Sequence, residues 1–331
     1  MELQTAFYRK VIDRFSLPIV NTNRSRIDAC REKHIEPVFR MLLRGLDHMY
    51  VAIRDSQVLA VGYKDVIAGV KDLGLESFEL NVGRDLNSGL LFDISKEQKI
   101  EEVINRLESE NVSICALLVT NDFAKESVEG EIQWVADVSR AASALDIKTV
   151  RIDPVMKSNP SEDTKGYAKL TAKCIKEILR RTEHIHVSLA MENHGIVGNN
   201  REYIQDVISS VKSERLGLTL DTGNLYWYGY PLDEVYEIIE SFASYVKHTH
   251  VKNLSFSEEK QQIYREPGEG YPGTASPLYA GDIDFRRVLK ILRKAGYDGD
   301  LTIEDESIIN FPQEQRLQIT RKDIEYMRSI I

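Results

Sequence analysis

Cysteine is scarce in this chain. Its three residues, Cys30, Cys115 and Cys174, are odd in number, lie far apart and form no CxxC pair, which excludes a disulfide framework and a zinc ribbon. Cys115, inside the apolar run 112–119, reads as a packed core thiol. A basic surplus is also missing: 43 Lys and Arg stand against 52 Asp and Glu, a formal net charge of −9, so nucleic acid is not an expected partner. No window approaches the roughly 18 apolar residues of a membrane-spanning helix, and the opening MELQTAFYRKV lacks the apolar stretch of a signal peptide. The expected location is therefore the cytoplasm, with no membrane contact. Nothing resembles a phosphate-cradling Gly-rich loop or a nucleophile elbow in a Ser-His-Asp order.

What is present is a regular alternation. The 331 residues, 42% hydrophobic and 29% charged, suit one large α/β barrel with an extension. Strand-like segments fall at 49–53, 76–81, 112–119, 147–153, 185–192, 216–221, 245–251 and 300–304. Helical periodicity fills 97–109, 128–144, 164–181, 200–212, 232–243 and 284–295. The last shows the local logic: Asp284 is placed to cap a helix whose apolar residues Phe285, Val288, Leu289 and Leu292 return every three or four positions before Gly296. Eight such units predict a (β/α)8 TIM barrel over 49–331, although an open doubly wound sheet gives the same alternation. Residues 1–48, with helix-like runs broken by Pro18, read as an N-terminal helical extension that caps the barrel or joins an oligomer interface. The long 254–282 segment is expected to border the site.

In such a barrel the site assembles where strands end. Four strand ends carry hard ligands: Glu192, Asp221, His250 and Glu304. Side-chain alternation turns Glu192 inward, because Leu189 and Met191 take the outer face; the same parity turns in Asp221 and Glu304. Strand seven is less clear, but His250 shares a face with Val246, His248 and Lys252. Residues 192 and 221, and 221 and 250, are each 29 apart, about one βα repeat. Three carboxylates and one imidazole suit a divalent ion, Mn2+ by preference, with Mg2+, Co2+ and Zn2+ served by the same donors.

The motifs MetGluAsnHisGly (191–195), LeuAspThrGlyAsn (220–224), HisThrHisValLysAsn (248–253), GlyAspIleAspPhe (281–285), GlyTyrAspGly (296–299) and ThrIleGluAsp (302–305) resemble the xylose isomerase-like barrel superfamily. That group of sugar isomerases and epimerases includes ketose 3-epimerases and inosose dehydratases. In the N-terminal half only LeuGlyLeuGluSerPheGluLeu (73–80) is similar. The resemblance implies that Glu192, Asp221, His250 and Glu304 hold the metal and that Glu192 and Glu304 are also the catalytic acid/base pair. Two departures are Asn224, where the family often has His, and Asn253, where it often has Asp; both imply altered substrate contacts.

Other residues carry open readings. Lys252 and Asn224 are candidate substrate contacts. Arg151 binds substrate or pairs with Asp153. His194 orients substrate or bonds to backbone, and Glu79 is an inward candidate near a strand end. His248 reads as a core imidazole or one supporting the ligands from behind, and His186 as packing. Tyr226, Trp227, Tyr228 and Tyr230 either stack on substrate or pack beneath the long segment or in a dimer interface. The expected activity is a metal-dependent sugar or cyclitol isomerase or epimerase working through an enediolate. The alternative is a lyase or dehydratase on the same scaffold, including inosose-like dehydration and C-glycoside cleavage with a second subunit. The partners are a small sugar-like substrate and further copies of the chain. A multi-zinc nuclease is disfavoured by the seven histidines and the acidic balance, and a non-catalytic barrel by the retention of all four ligands.

Overall fold

The computed structural model describes residues 49–87, 92–156 and 163–331. The helical extension expected over 1–48, and Cys30 within it, lie outside those residues. Eight parallel strands close a barrel: β1 (Tyr50–Arg54), β2 (Ser77–Asn81), β3 (Ser113–Leu118), β4 (Thr149–Ile152), β5 (Ser188–Glu192), β6 (Leu216–Asp221), β7 (Val246–Val251) and β10 (Asp300–Ile303). Two short strands, β8 (Asn253–Leu254) and β9 (Ala275–Ser276), pair antiparallel inside the 254–282 segment. Because β1 hydrogen-bonds to both β2 and β10, the open doubly wound alternative is excluded. Both faces of each strand are covered, so runs such as LGLTLD in β6 are buried throughout.

The helices form the outer ring. Val128–Ala144 and Thr164–Arg181 bury Val135, Val138, Ile175 and Ile178 at helical spacing, and their N-caps, Ser127 and Asp163, each accept a backbone N–H. All six expected helices are present to within a residue or so. Asp55–Ala60, Val66–Asp72 and Gln313–Ile330 were not anticipated, being short or weakly patterned.

Register positions the site. Between β6 and β7 the pairing shifts by one residue after Leu218, so that Thr219 lies level with His248 and Asp221 with His250. Thr302 of β10 lies level with His250 on the other side. The shift therefore puts both histidines on the inner face at the heights of their acidic neighbours. Strand five is shorter than expected: Ile185 N–H bonds back to Thr182 in a turn, and His186, expected to pack at the barrel floor, is exposed before the strand begins.

No helix among the described residues is long and apolar enough to cross a membrane. Cys115 and Cys174 are both free.

Candidate metal centre

Glu192 and Asp221 terminate β5 and β6, His250 is the penultimate residue of β7, and Glu304 directly follows β10. One ligand atom from each lies within 4.8 Å of the others, and all four residues are buried. Asp221 is doubly used. Its Oδ1 accepts the backbone N–H groups of Gly223 and Asn224, each at 2.8 Å, capping the short helix Thr222–Trp227, and this leaves Oδ2 facing the cluster.

His250 is held from below. Its Nε2 lies 3.0 Å from Glu79 Oε1, while Nδ1 faces Glu304 Oε2 at 3.2 Å and Glu192 Oε1 at 3.4 Å. Glu79 is thus the proton acceptor for Nε2, and the lone pair belongs to Nδ1. Burial, only partly opposed by Glu79, lowers the His250 pKa to about 4, so the ring is neutral and available as a ligand. His248 behaves differently. Its Nε2 sits 2.8 Å from Glu79 Oε1 and its Nδ1 2.8 Å from Asp300 Oδ2. Burial works against its charge, but Asp300 and Glu79 outweigh it and push the pKa up to about 10. An imidazolium between two carboxylates has no lone pair to give, in keeping with the supporting role expected of it.

Three basic groups reach the cluster. Arg54 contacts Glu304 and also places Nε 3.2 Å from Glu79 Oε2. Arg151 contacts Glu192 and places Nη2 2.9 Å from Asp153 Oδ1. Lys252 Nζ lies 3.0 Å from Asp221 Oδ2, 3.3 Å from Glu304 Oε2, 3.0 Å from Glu306 Oε2 and 3.1 Å from Asn224 Oδ1. The other arm of Asn224, Nδ2, donates to Glu192 Oε1 at 3.1 Å. Asn224 and Lys252, the candidate substrate contacts, therefore lie against the cluster. His194, about two-fifths exposed, lies 2.7 Å from Asp153. Glu79 is spent on the two histidines and Arg54 beneath the cluster rather than turned to the mouth.

Arg54 and Glu306 were missed from the sequence. Arg54 shares its parity with Ala52, but it lies one residue past the apolar run that marks β1 in the sequence. Glu306 lies in the turn beyond β10, where alternation no longer guides. The glycine at 223 makes room for Lys252, whose Cγ lies only 2.7 Å from where a Cβ would stand.

The long segment reaches the site through Tyr271, whose hydroxyl donates to Glu306 at 2.7 Å. Tyr226 is fully buried beneath that segment, edge-on to Phe256 at 5.0 Å, with the Arg265 guanidinium over its ring at 4.4 Å. Packing is thus the observed role of this aromatic. Asn253 donates to the Leu278 and Ile283 carbonyls and accepts the Leu254 and Ile283 N–H groups, so it ties the segment's two ends together and does not face substrate.

The donor set fits a divalent cation. Glu192 Oε2, Asp221 Oδ2 and Glu304 Oε2 are buried without a hydrogen bond of proper geometry, although a cationic side chain lies near each. Such oxygens have lone pairs to share. Two other clusters, Glu79–His248–His250 and Cys115–His248–Asp300, do not fit, since both His248 nitrogens already face carboxylates and burial pushes the Cys115 thiol far up. A third, Asp153–Glu192–His194, offers only three donors, one of them the two-fifths exposed His194.

A closed parallel barrel with acids and an imidazole gathered at its C-terminal face defines a class of barrel enzymes. Residues 67–330 match the xylose isomerase-like TIM barrel family model, and the chain belongs to that family. Among curated proteins, the uncharacterized protein MJ1311 of Methanocaldococcus jannaschii is 25% identical over 138 residues, 40% of this chain and 42% of that protein. An inosose dehydratase of Clostridium perfringens is 25% identical over 145 residues, 43% and 45% of the two. The chain thus spans under half the length of each of these two relatives. Among solved structures, a zinc-bound IOLI protein superposes with a TM-score of 0.67 at 14% identity, covering 86% of this chain and 99% of that one. D-Psicose 3-epimerase of Clostridium cellulolyticum H10, solved with D-tagatose, gives 0.60 at 14%, covering 85% and 99%. At such identities these two show a shared fold.

Proposed function

We propose that this chain is a divalent-metal-dependent isomerase or epimerase of a sugar or cyclitol. Glu192, Asp221, His250 and Glu304 are the ligands, and Mn2+ is the favoured ion, with Mg2+, Co2+ and Zn2+ also served by these donors. The observation that carries the reading is the convergence of these four buried side chains, within 4.8 Å of one another, from adjacent barrel strands.

A bound ion would supply Lewis acidity toward a carbonyl and its neighbouring hydroxyl, and so would acidify the C–H beside the carbonyl. Glu192 and Glu304 take and return that proton from opposite sides. Arg151 and Arg54 hold these two carboxylates in place, and Asn224 fixes Glu192 by its amide. Lys252 and Asn224 offer donors to substrate hydroxyls, with His194 at the mouth. Tyr271 and Glu306, joined by a hydrogen bond, border one flank. A cytoplasmic location and a homo-oligomeric assembly, with a second subunit as the option for larger substrates, belong to the same proposal.

A second reading, dehydration, is favoured by the inosose dehydratase relative. It begins with the same proton removal and ends by expelling a β-hydroxyl. The test is incubation of metal-loaded protein in deuterated water with a panel of ketoses and inososes. Deuterium entering the carbon next to the carbonyl, lost with a chelator and regained with metal, supports the proposal; loss of water from the substrate selects the dehydratase; no exchange on any compound counts against both.

A further inference from the structure

We propose that the substrate of this site is uncharged, a polyhydroxy carbonyl compound bearing neither phosphate nor carboxylate. The inference rests on the isomerase reading for its location and goes beyond it in naming a charge class. At first sight the site suits an anion. Arg54, Arg151 and Lys252 all point into it, and each touches a ligand carboxylate whose charge a bound divalent ion would share.

Each cation, however, has a second acid outside the ligand set. Arg54 keeps Glu79 at 3.2 Å, Arg151 keeps Asp153 at 2.9 Å and Lys252 keeps Glu306 at 3.0 Å. These partners come from three separate elements: Glu79 from β2, Asp153 from just past β4 and Glu306 from the turn after β10, so they are not the by-product of one acidic segment. His194, the remaining basic ring at the mouth, lies on Asp153 as well.

With three cations and three retained acids cancelling, a 2+ ion on three carboxylates leaves one negative charge in excess. An incoming phosphate or carboxylate would meet that excess, and could claim Arg54 or Arg151 only by leaving the buried Glu79 or Asp153 unpaired, and Lys252 only by drawing it off the half-exposed Glu306. Hydroxyls face no such penalty, since the Lys252 ammonium and the Asn224 amide donate while the carboxylates accept.

The test uses full-length, metal-loaded protein and paired probes: pentuloses and hexuloses, each beside its terminal phosphate ester. Calorimetric binding and solvent deuterium exchange are both read. The expected result is a preference of about tenfold or more for the neutral member, the scale of one charged hydrogen bond. In Glu306→Gln, where the amide still accepts from Tyr271 but the Lys252 charge is freed, this preference should shrink by about tenfold. Asp153→Asn, which frees Arg151, is an independent second variant. Equal or better binding of the phosphate esters to the parent protein overturns the inference, as does an unchanged ratio in both variants. A neutral preference in binding with no exchange on any sugar would sink the isomerase reading and leave the charge class standing.

Discussion

His250 turns Nε2 onto Glu79 at 3.0 Å and so commits Nδ1 to the acidic cluster. Two strands on opposite sides of the barrel thereby fix the direction of one lone pair. Glu79→Gln removes the acceptor charge with little change in shape, and such supporting groups are worth about 10- to 100-fold in metal affinity. Titration calorimetry with Zn2+ or Mn2+ should show that loss while the circular dichroism spectrum stays that of the parent; unchanged affinity would remove Glu79 from this role.

Asp221 separates two jobs by its two oxygens. Asp221→Asn retains an oxygen for the Gly223 and Asn224 N–H groups, so the fold should hold while metal binding weakens. Asp221→Ala loses the cap as well, a cost of about 1 kcal/mol. Comparing urea midpoints of the two variants, alongside their metal content, checks the division.

The structure gives Asn253 a scaffold role. Its amide makes four bonds across the ends of the 254–282 segment, and a Cβ at residue 281 would stand 2.2 Å from it. Asn253→Ala leaves buried backbone groups unsatisfied, a loss of about 2–4 kcal/mol. Limited proteolysis should then cut within 254–282 well before the barrel.

Much of this was legible in advance. The eight strands follow from short apolar runs separated by helical periodicity. Inward parity named Glu192, Asp221 and Glu304, because alternation holds along a strand whatever the neighbours do. His250 was harder, since the β6–β7 register shift leaves no mark in the sequence. Arg54 lay one residue past the assumed end of β1, and Glu306 lay where the chain no longer alternates. The pairing of Glu79 with His248 and His250 spans the barrel's interior, a relation between distant segments that local pattern does not carry.

Asp323 supplies a pH-dependent element away from the site. Burial and the adjoining Asp305 carboxyl raise its pKa well above the ordinary carboxylate value, against the Leu278 and Tyr279 N–H groups that lower it. Below about pH 4 the folded and unfolded chains both hold this proton. As pH rises the unfolded chain releases it first, so this group's contribution to stability falls until the folded pKa is passed. Asp323→Asn keeps an acceptor for the backbone and a donor for Asp305 at every pH. It should be more stable than the parent at pH 8 and show a flatter stability profile between pH 5 and 8; a less stable variant at pH 8 would contradict the assignment.

The most direct measurement is anomalous diffraction from crystals soaked in Mn2+. The account predicts a single peak about 2.0–2.2 Å from carboxylate oxygens of Glu192, Asp221 and Glu304 and from His250 Nδ1. A peak on Asp153 and His194, one between Glu79 and His248, or no bound ion at all, would contradict it.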